Sequence, residues 1–154
     1  MAYDLEPSHQ QNGAVSSAGV LIADDEAAVR SVLEAWLRRE GFAVWSASHG
    51  QQAVELYRRH RDVIAAVLLD VRMPGMDGPN TLATLQKLSP SIPCCFMTGD
   101  WNGYTEEALL MLGAVRVFRK PFAFHEVIDV LRQLVNRRPR RGQDEYVEPL
   151  FKGA

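Results

Sequence analysis

Five short apolar runs alternate along the chain with longer stretches in which apolar residues recur at helical spacing. The runs occupy 20–22, 42–47, 63–69, 92–97 and 115–118. Short apolar runs that end abruptly in polar residues are typical of strands buried inside a parallel sheet. Because strand and helix alternate about five times, the pattern predicts an α/β fold, a doubly wound parallel sheet with helices on both faces.

The first predicted helix has a well-defined apolar stripe. Val29, Val32, Leu33, Trp36 and Leu37 recur at i, i+3, i+4, i+7 and i+8, which places them on one side of a helix. We expect this stripe to pack against the sheet. The other predicted helices occupy 51–60, the segments that follow Pro79 and Thr105, and 124–135.

The two ends of the chain lack this alternation. Residues 1–18 are mostly small and polar, so we expect a flexible N-terminal tail. Residues 137–154 break the helical pattern, so we expect a C-terminal tail, and the predicted domain covers 19–136. The residues after Val135 are too few to form a DNA-binding module, which favours a stand-alone domain.

Composition excludes several classes of protein. The 154 residues are 47% hydrophobic and 23% charged with a net charge of −2, which is typical of one globular domain and gives no electrostatic reason to bind nucleic acid. A basic cluster at 137–141 is followed by acidic residues and is interpreted as solvated chain. No apolar run approaches the roughly 18 residues of a membrane-spanning helix. The adjacent Cys94 and Cys95 are poor disulfide partners and too few for a zinc site, which predicts reduced, buried thiols in a cytoplasmic protein.

Polar residues that could take part in binding or catalysis follow four of the five predicted strands. Asp24 and Asp25 follow the first, Asp70 the third, Thr98 the fourth and Lys120 the fifth. Ligands of doubly wound sheets bind beyond the carboxyl ends of the strands, so these side chains are expected at one edge. Taken singly, an aspartate after a strand is usually a turn residue and a lysine is usually solvated. Five such residues at one edge favour a shared site.

The three acids of this edge need a counter-charge. Two unit charges about 4 Å apart repel by about 4 kcal/mol at an effective dielectric of 20. Protons or a divalent cation relieve this repulsion, and an oxygen-only, partly hydrated site suits Mg²⁺. The compact positive charge of Lys120 can pair with a phosphate, and the Thr98 hydroxyl can donate a hydrogen bond to a phosphate oxygen. These are the parts that phosphoryl transfer to a carboxylate requires.

Four motifs carry a family resemblance that runs from about Gly19 to Val135. They are LIADDE at 21–26, LLDVRMPGMDG at 68–78, MTG at 97–99 and RKPF at 119–122. Together they resemble the receiver domain of two-component response regulators. The resemblance implies a flavodoxin-like receiver fold, with five parallel strands in the order 2-1-3-4-5 and five helices.

The resemblance also implies a role for each site residue. Asp70 matches the phosphoacceptor, Thr98 the switch hydroxyl, and Lys120 the lysine that contacts the phosphoryl oxygens. The Lys120-Pro121 bond matches one that is cis in the family. The implied Mg²⁺ ligands are Asp24, Asp25, Asp70 and the backbone carbonyl of Arg72.

One position departs from the family pattern, and two others are variable within it. The family usually carries Tyr or Phe three residues before the lysine, where this chain has Val117. Phe118 follows it and, by strand alternation, is expected on the opposite face as a core residue. Arg72 and Asp100 match the variable positions that flank the site entrance. Their opposite charges lead us to expect an ion pair that hinders the hydrolytic water.

The predicted function is a phosphorylation-dependent switch of a two-component phosphorelay. A sensor histidine kinase or a histidine phosphotransfer protein is expected to donate the phosphoryl group, and the output is expected to pass through contacts with a downstream protein or through a phosphorylation-dependent dimer. No enzymatic activity is expected beyond assistance to its own phosphorylation and dephosphorylation.

Two alternatives are weighed against the phosphorelay switch. One is an interaction module that keeps the fold and works without phosphorylation, against which the retained acids, Thr98 and Lys120 argue. The other is a phosphatase or phosphotransferase with an aspartyl nucleophile. That class usually carries a second acid two residues after the nucleophile, where this chain has Arg72.

Overall fold

The computed structural model describes residues 18–137, in which five strands alternate with five helices. All strand pairs are parallel and the sheet order is β2-β1-β3-β4-β5, which confirms the predicted fold class. The elements are β1 (Gly19–Ala23), α1 (Ala27–Arg39), β2 (Ala43–Ala47), α2 (Gly50–His60), β3 (Ile64–Asp70), α3 (Gly78–Leu88), β4 (Cys94–Thr98), α4 (Glu106–Met111), β5 (Arg116–Arg119) and α5 (Phe124–Asn136).

Each face of the sheet buries its own hydrophobic cluster. Helices α2, α3 and α4 cover one face and helices α1 and α5 cover the other. Successive strand residues point to opposite faces, so the neighbours Val117 and Phe118 fall into different clusters, as predicted. Cys94 and Cys95 divide in the same way and are buried free thiols. Burial raises the pKa of Cys95 to about 12, which suits a packing role.

Side chains that bond to free backbone N–H groups fix where α3 and α4 begin. Asp77 accepts a hydrogen bond from the N–H of Asn80 at the start of α3, where Pro79 occupies the first turn. Thr105 accepts from the N–H of Ala108, which confirms it as the N-cap of α4. These caps set the ends of the two loops that border the carboxyl edge of the sheet.

The apolar stripe predicted for α1 is correct only in part. Leu33 and Leu37 are buried against the sheet, but Val32 and Trp36 are 43% and 41% exposed. The contact with the sheet is narrower than the stripe, and Trp36 instead stacks on Phe124 of α5 with ring centroids 5.6 Å apart.

Most of the two predicted tails, and the basic cluster apart from Arg137, lie outside the described residues, so the boundaries at 19 and 136 stay predictions. Within 18–137, the helices are too short or too polar to cross a membrane.

Candidate functional site

The carboxyl edge of the sheet brings together the acids and the lysine that the sequence singles out. Asp24, Asp25 and Asp70 each offer a carboxylate oxygen, and these oxygens lie within 4.8 Å of one another. Lys120 Nζ lies 2.7 Å from an oxygen of Asp24 and 3.5 Å from an oxygen of Asp70. The structure therefore places these four side chains in one cluster, although Asp70 and Lys120 are far from the Asp24–Asp25 pair in sequence.

Backbone hydrogen bonds along the sheet edge hold these side chains in place. Asp70 is the last residue of β3 and Thr98 the last of β4, and the N–H of Lys120 donates to the carbonyl of Thr98 at 2.8 Å. The Asp24 carboxylate accepts a hydrogen bond from the N–H of Glu26 at 2.9 Å. The backbone carbonyl of Asp24 accepts one from the Arg30 side chain at 2.6 Å. Asp24 is thus fully buried with its polar atoms satisfied, whereas the neighbouring Asp25 is exposed.

Lys120 is the positive charge at the centre of this cluster. Burial alone lowers its pKa, but the hydrogen bond from Lys120 to Asp24 and the charges of Asp70 and Asp24 outweigh burial and raise that pKa above its ordinary value. Lys120 therefore stays protonated at neutral pH. It neutralises part of the charge of the three acids, and its remaining donors can bind an anion.

Asp70 is the acid whose ionisation the protein opposes most clearly. Burial and the charge of Asp24 raise the pKa of Asp70 to about 7, while Lys120 acts in the opposite direction. The side chain is 7% exposed. Without a further cation, the carboxylate form of Asp70 is therefore disfavoured in the folded protein.

This raised pKa predicts how stability depends on pH when Mg²⁺ is absent. The unfolded chain loses the Asp70 proton near the ordinary pKa of 3.8, and the folded chain loses it near a pKa of about 7. The contribution of this group to the free energy of unfolding is therefore largest below pH 4 and is lost as pH rises to 7. We expect urea unfolding in EDTA to show this decline, and Asp70→Asn to flatten it. Equal pH profiles for the two proteins would contradict the assignment.

The hydroxyl of Thr98 has no hydrogen-bond partner among the described residues. The residue is 2% exposed, and its Oγ1 is the only buried side-chain polar atom in 18–137 without a partner. Leaving a buried hydroxyl unpaired costs about 1–3 kcal/mol. A buried hydroxyl kept in this condition, at the strand ends that also hold Lys120, is suited to donate to an added anionic oxygen.

A cleft of about 350 Å³ opens onto this cluster. Arg72 and Asp100 form the expected ion pair at its mouth, with side chains 65% and 51% exposed. Gly99 lines the cleft, and a Cβ there would lie 3.6 Å from Lys120. A larger cavity of about 480 Å³ includes Tyr57 and Leu134 in its lining but no carboxylate side chain, so cavity size alone does not mark the site.

Two contacts that shape the site are not predicted by the sequence pattern. Arg30 bonds the backbone of Asp24, although a charged residue on an amphipathic helix reads as a surface residue. Tyr104 donates to Asp77 at 3.0 Å and so joins the loop after β4 to the start of α3. Neither contact leaves a periodic signal in the sequence, because each depends on how two separate segments come together.

The arrangement of side chains at this edge defines a class of protein. A doubly wound sheet with clustered acids, a lysine and an unpartnered threonine hydroxyl at its carboxyl edge is typical of domains that accept a phosphoryl group on a carboxylate. The family described as response regulator receiver domain matches residues 20–132. The chain belongs to this family and is a signalling switch of the two-component phosphorelay class.

Relatives and solved structures agree with this assignment. The chain is 31% identical over 114 residues to sporulation initiation phosphotransferase F of Bacillus subtilis, and the match covers 74% of this chain and 90% of that protein. It is 32% identical over 124 residues to transcriptional regulatory protein PrrA of Mycobacterium tuberculosis, with 80% of this chain and 52% of that protein covered. The chain therefore spans nearly all of one relative and about half of the other.

A solved structure shows the same fold with a metal at its active site. It is the receiver domain of a sensor histidine kinase from Pseudomonas aeruginosa, with a magnesium ion coordinated in its active-site cleft. The TM-score is 0.69 at 26% sequence identity, and the match covers 79% of this chain and 99% of that one.

Proposed function

We propose that Asp70 accepts the phosphoryl group, and that a sensor histidine kinase or a histidine phosphotransfer protein donates it from a phosphohistidine. The observation that carries this proposal is the cluster itself: a buried carboxylate with Lys120 Nζ 3.5 Å away, at the strand ends that also hold the unpartnered hydroxyl of Thr98. Asp24 is less suited to attack a phosphoryl group, because its carboxylate already accepts hydrogen bonds from Lys120 and from a backbone N–H.

In the proposed reaction, a carboxylate oxygen of Asp70 attacks the phosphorus of the donor. The bond from phosphorus to the donor nitrogen breaks, its electron pair stays on the imidazole, and an acyl phosphate forms. Lys120 gives charge-assisted hydrogen bonds to the transferred oxygens, and the Thr98 hydroxyl donates to another of them. Hydrolysis of the acyl phosphate later returns the carboxylate.

The acids fit the Mg²⁺ ion that the family implies. Three carboxylate oxygens within 4.8 Å of one another form a hard, oxygen-only donor set. Burial, and after it the charge of Asp24, raises the pKa of Asp70, and a divalent cation would favour the ionised form that these two effects oppose. We propose Asp24, Asp25, Asp70 and the carbonyl of Arg72 as its ligands. When bound, the ion neutralises charge on the phosphoryl oxygens.

The output is proposed to pass through protein contacts in the cytoplasm. Four exposed apolar side chains lie together in sequence on α4 and the segment before β5, which supports a protein target or a phosphorylation-dependent dimer. They are Leu110, Met111, Leu112 and Val115.

A small phosphodonor separates this function from the two alternatives. We expect the intact chain to take up one phosphoryl group from acetyl phosphate in Mg²⁺ and little in EDTA, and to show no turnover of phosphate monoesters. Absence of uptake in both conditions would favour the phosphorylation-independent interaction module. Rapid turnover of small phosphate esters would favour a phosphatase.

The Arg72–Asp100 pair is expected to lengthen the life of the acyl phosphate by hindering the hydrolytic water. An exposed pair contributes less than about 1 kcal/mol, so Arg72→Ala should speed dephosphorylation by at most about fivefold. The measurement is the decay of labelled protein after the donor is removed. Arg38→Ala, which breaks an exposed pair with Glu34 on α1, is the matched control and should leave the decay unchanged. An unaltered decay in Arg72→Ala would refute this role.

A further inference from the structure

The β4–α4 loop, residues 99–105, is closed on itself and is suited to move as one unit. The carboxylate of Asp100 accepts from the N–H of Asn102 at 2.9 Å, and the N–H of Tyr104 donates to the carbonyl of Trp101 at 2.8 Å. Asn102 and Gly103 both have positive φ, at 50° and 81°, which tightens the turn between these bonds. The loop starts directly after Thr98, so a displacement of Thr98 is passed to the whole turn.

Two side-chain contacts tie this loop to the β3–α3 loop, residues 71–77. Arg72 pairs with Asp100 at the mouth of the cleft, and the Tyr104 hydroxyl donates to Asp77 at 3.0 Å. The Arg72–Asp100 pair is exposed and is therefore a weak tie. The Tyr104–Asp77 bond is partly buried and has a charged acceptor, which makes it the stronger of the two.

Asp77 is held by hydrogen bonds of its own, and the start of α3 that follows it lies close to the backbone of Asp70. Its other carboxylate oxygen accepts from the backbone and side-chain amides of Asn80 at 2.9 and 2.8 Å. A Cβ on the next residue, Gly78, would lie 2.3 Å from the carbonyl oxygen of Asp70. The start of α3 therefore packs directly on the backbone of Asp70, and Tyr104 anchors the β4–α4 loop to this rigid point.

We propose that Tyr104 is a positioning residue whose hydrogen bond to Asp77 holds the β4–α4 loop in its resting place and opposes the displacement of Thr98 toward a phosphoryl group on Asp70. This inference rests on the proposed function. The Tyr104–Asp77 bond stabilises the state in which the Thr98 hydroxyl is unpartnered, so it lowers the affinity of the site for a phosphoryl group. Coupling of this kind is reciprocal, because whatever favours one state of the loop disfavours the ligand that selects the other.

The test measures the affinity of the full chain for beryllofluoride in Mg²⁺. Binding is monitored through the amide NMR signals of Thr98 and Lys120. We expect Tyr104→Phe, which keeps the ring and removes the hydroxyl, to bind beryllofluoride roughly three- to tenfold more tightly than the unaltered chain. Tyr57→Phe removes a tyrosine hydroxyl on α2 and is the matched control, with no expected change. Equal or weaker binding by Tyr104→Phe would overturn the proposal.

A second variant separates the Tyr104–Asp77 hydrogen bond from the role of Asp77 as the N-cap of α3. Asp77→Ser keeps an oxygen able to cap α3 but removes the oxygen that Tyr104 contacts, so it should tighten binding to a similar extent. The double variant should gain no more than either single one, because both changes remove the same bond. Additive gains in beryllofluoride affinity would contradict the proposed role of the Tyr104–Asp77 bond. If the unaltered chain binds no beryllofluoride, the proposed function itself fails, whereas normal binding that is insensitive to Tyr104→Phe overturns only the role of Tyr104.

Discussion

Asp70→Asn is expected to abolish phosphoryl labelling while making the Mg²⁺-free protein more stable. The amide cannot form the acyl phosphate, so labelling should fall to background. At pH 7.5 the change also removes a buried negative charge whose pKa is raised to about 7, which shows that burial and repulsion outweigh the attraction of Lys120. The rise of the Asp70 pKa from 3.8 to about 7 corresponds to about 4 kcal/mol as an upper bound. We expect a gain of about 1–3 kcal/mol in the free energy of unfolding.

Urea unfolding in EDTA and labelling by acetyl phosphate in Mg²⁺ measure the two parts of this prediction. Asp129→Asn is the matched control, because Asp129 is an exposed carboxylate on α5 away from the cluster. It should keep full labelling and change stability by less than about 0.5 kcal/mol. Persistent labelling of Asp70→Asn would refute the acceptor assignment, and a loss of stability would refute the electrostatic argument.

Lys120→Met is expected to act in the opposite direction on stability. Asp24 is fully buried and lies 2.7 Å from Lys120 Nζ, so the variant leaves a buried carboxylate without its nearest counter-charge. Removing one partner of a buried ion pair typically costs 3–5 kcal/mol. Because Lys120 is 17% exposed, we expect a loss of about 2–4 kcal/mol in EDTA. Added Mg²⁺ should recover more stability in the variant than in the unaltered chain, since the acids then have no other cation.

The same variant should separate labelling from its consequence. Asp70 is still present, so some labelling should remain at a reduced rate, but the phosphoryl oxygens lose the contact that orients them toward Thr98. Amide NMR shifts of the β4–α4 loop on phosphorylation should therefore shrink sharply. Lys87→Met, at an exposed position in the last turn of α3, should behave like the unaltered chain in both measurements. Unchanged stability in EDTA for Lys120→Met would contradict the electrostatic account of the cluster.

The sheet order and the position of the acid cluster could be predicted from the sequence for a simple physical reason. In a parallel sheet the carboxyl ends of all strands meet at one edge, so the residue after each apolar run is placed without any knowledge of side-chain packing. Asp24, Asp70 and Lys120 follow this rule and meet in the structure. The ion pair of Arg72 with Asp100 was also predictable, since both residues flank the same edge.

Features that depend on packing between separate segments could not be predicted in this way. Val32 and Trp36 have the spacing of core residues but remain largely exposed, because helical periodicity does not report how wide the contact with the sheet is. The Tyr104–Asp77 bond depends on the turn at Asn102 and Gly103, and a lone Asn-Gly pair does not fix where the next side chain points. The unpartnered state of the Thr98 hydroxyl likewise emerges only when every neighbour is in place.

The most direct test of the central claim is mass spectrometry of the chain after incubation with Mg²⁺ and a phosphodonor, first intact and then as peptides. We expect one acid-stable, base-labile phosphoryl group per chain, located on the peptide that contains Asp70 and missing when Mg²⁺ is removed. An adduct on a different residue, or none with a small donor and with histidine kinases supplied in turn, would contradict it.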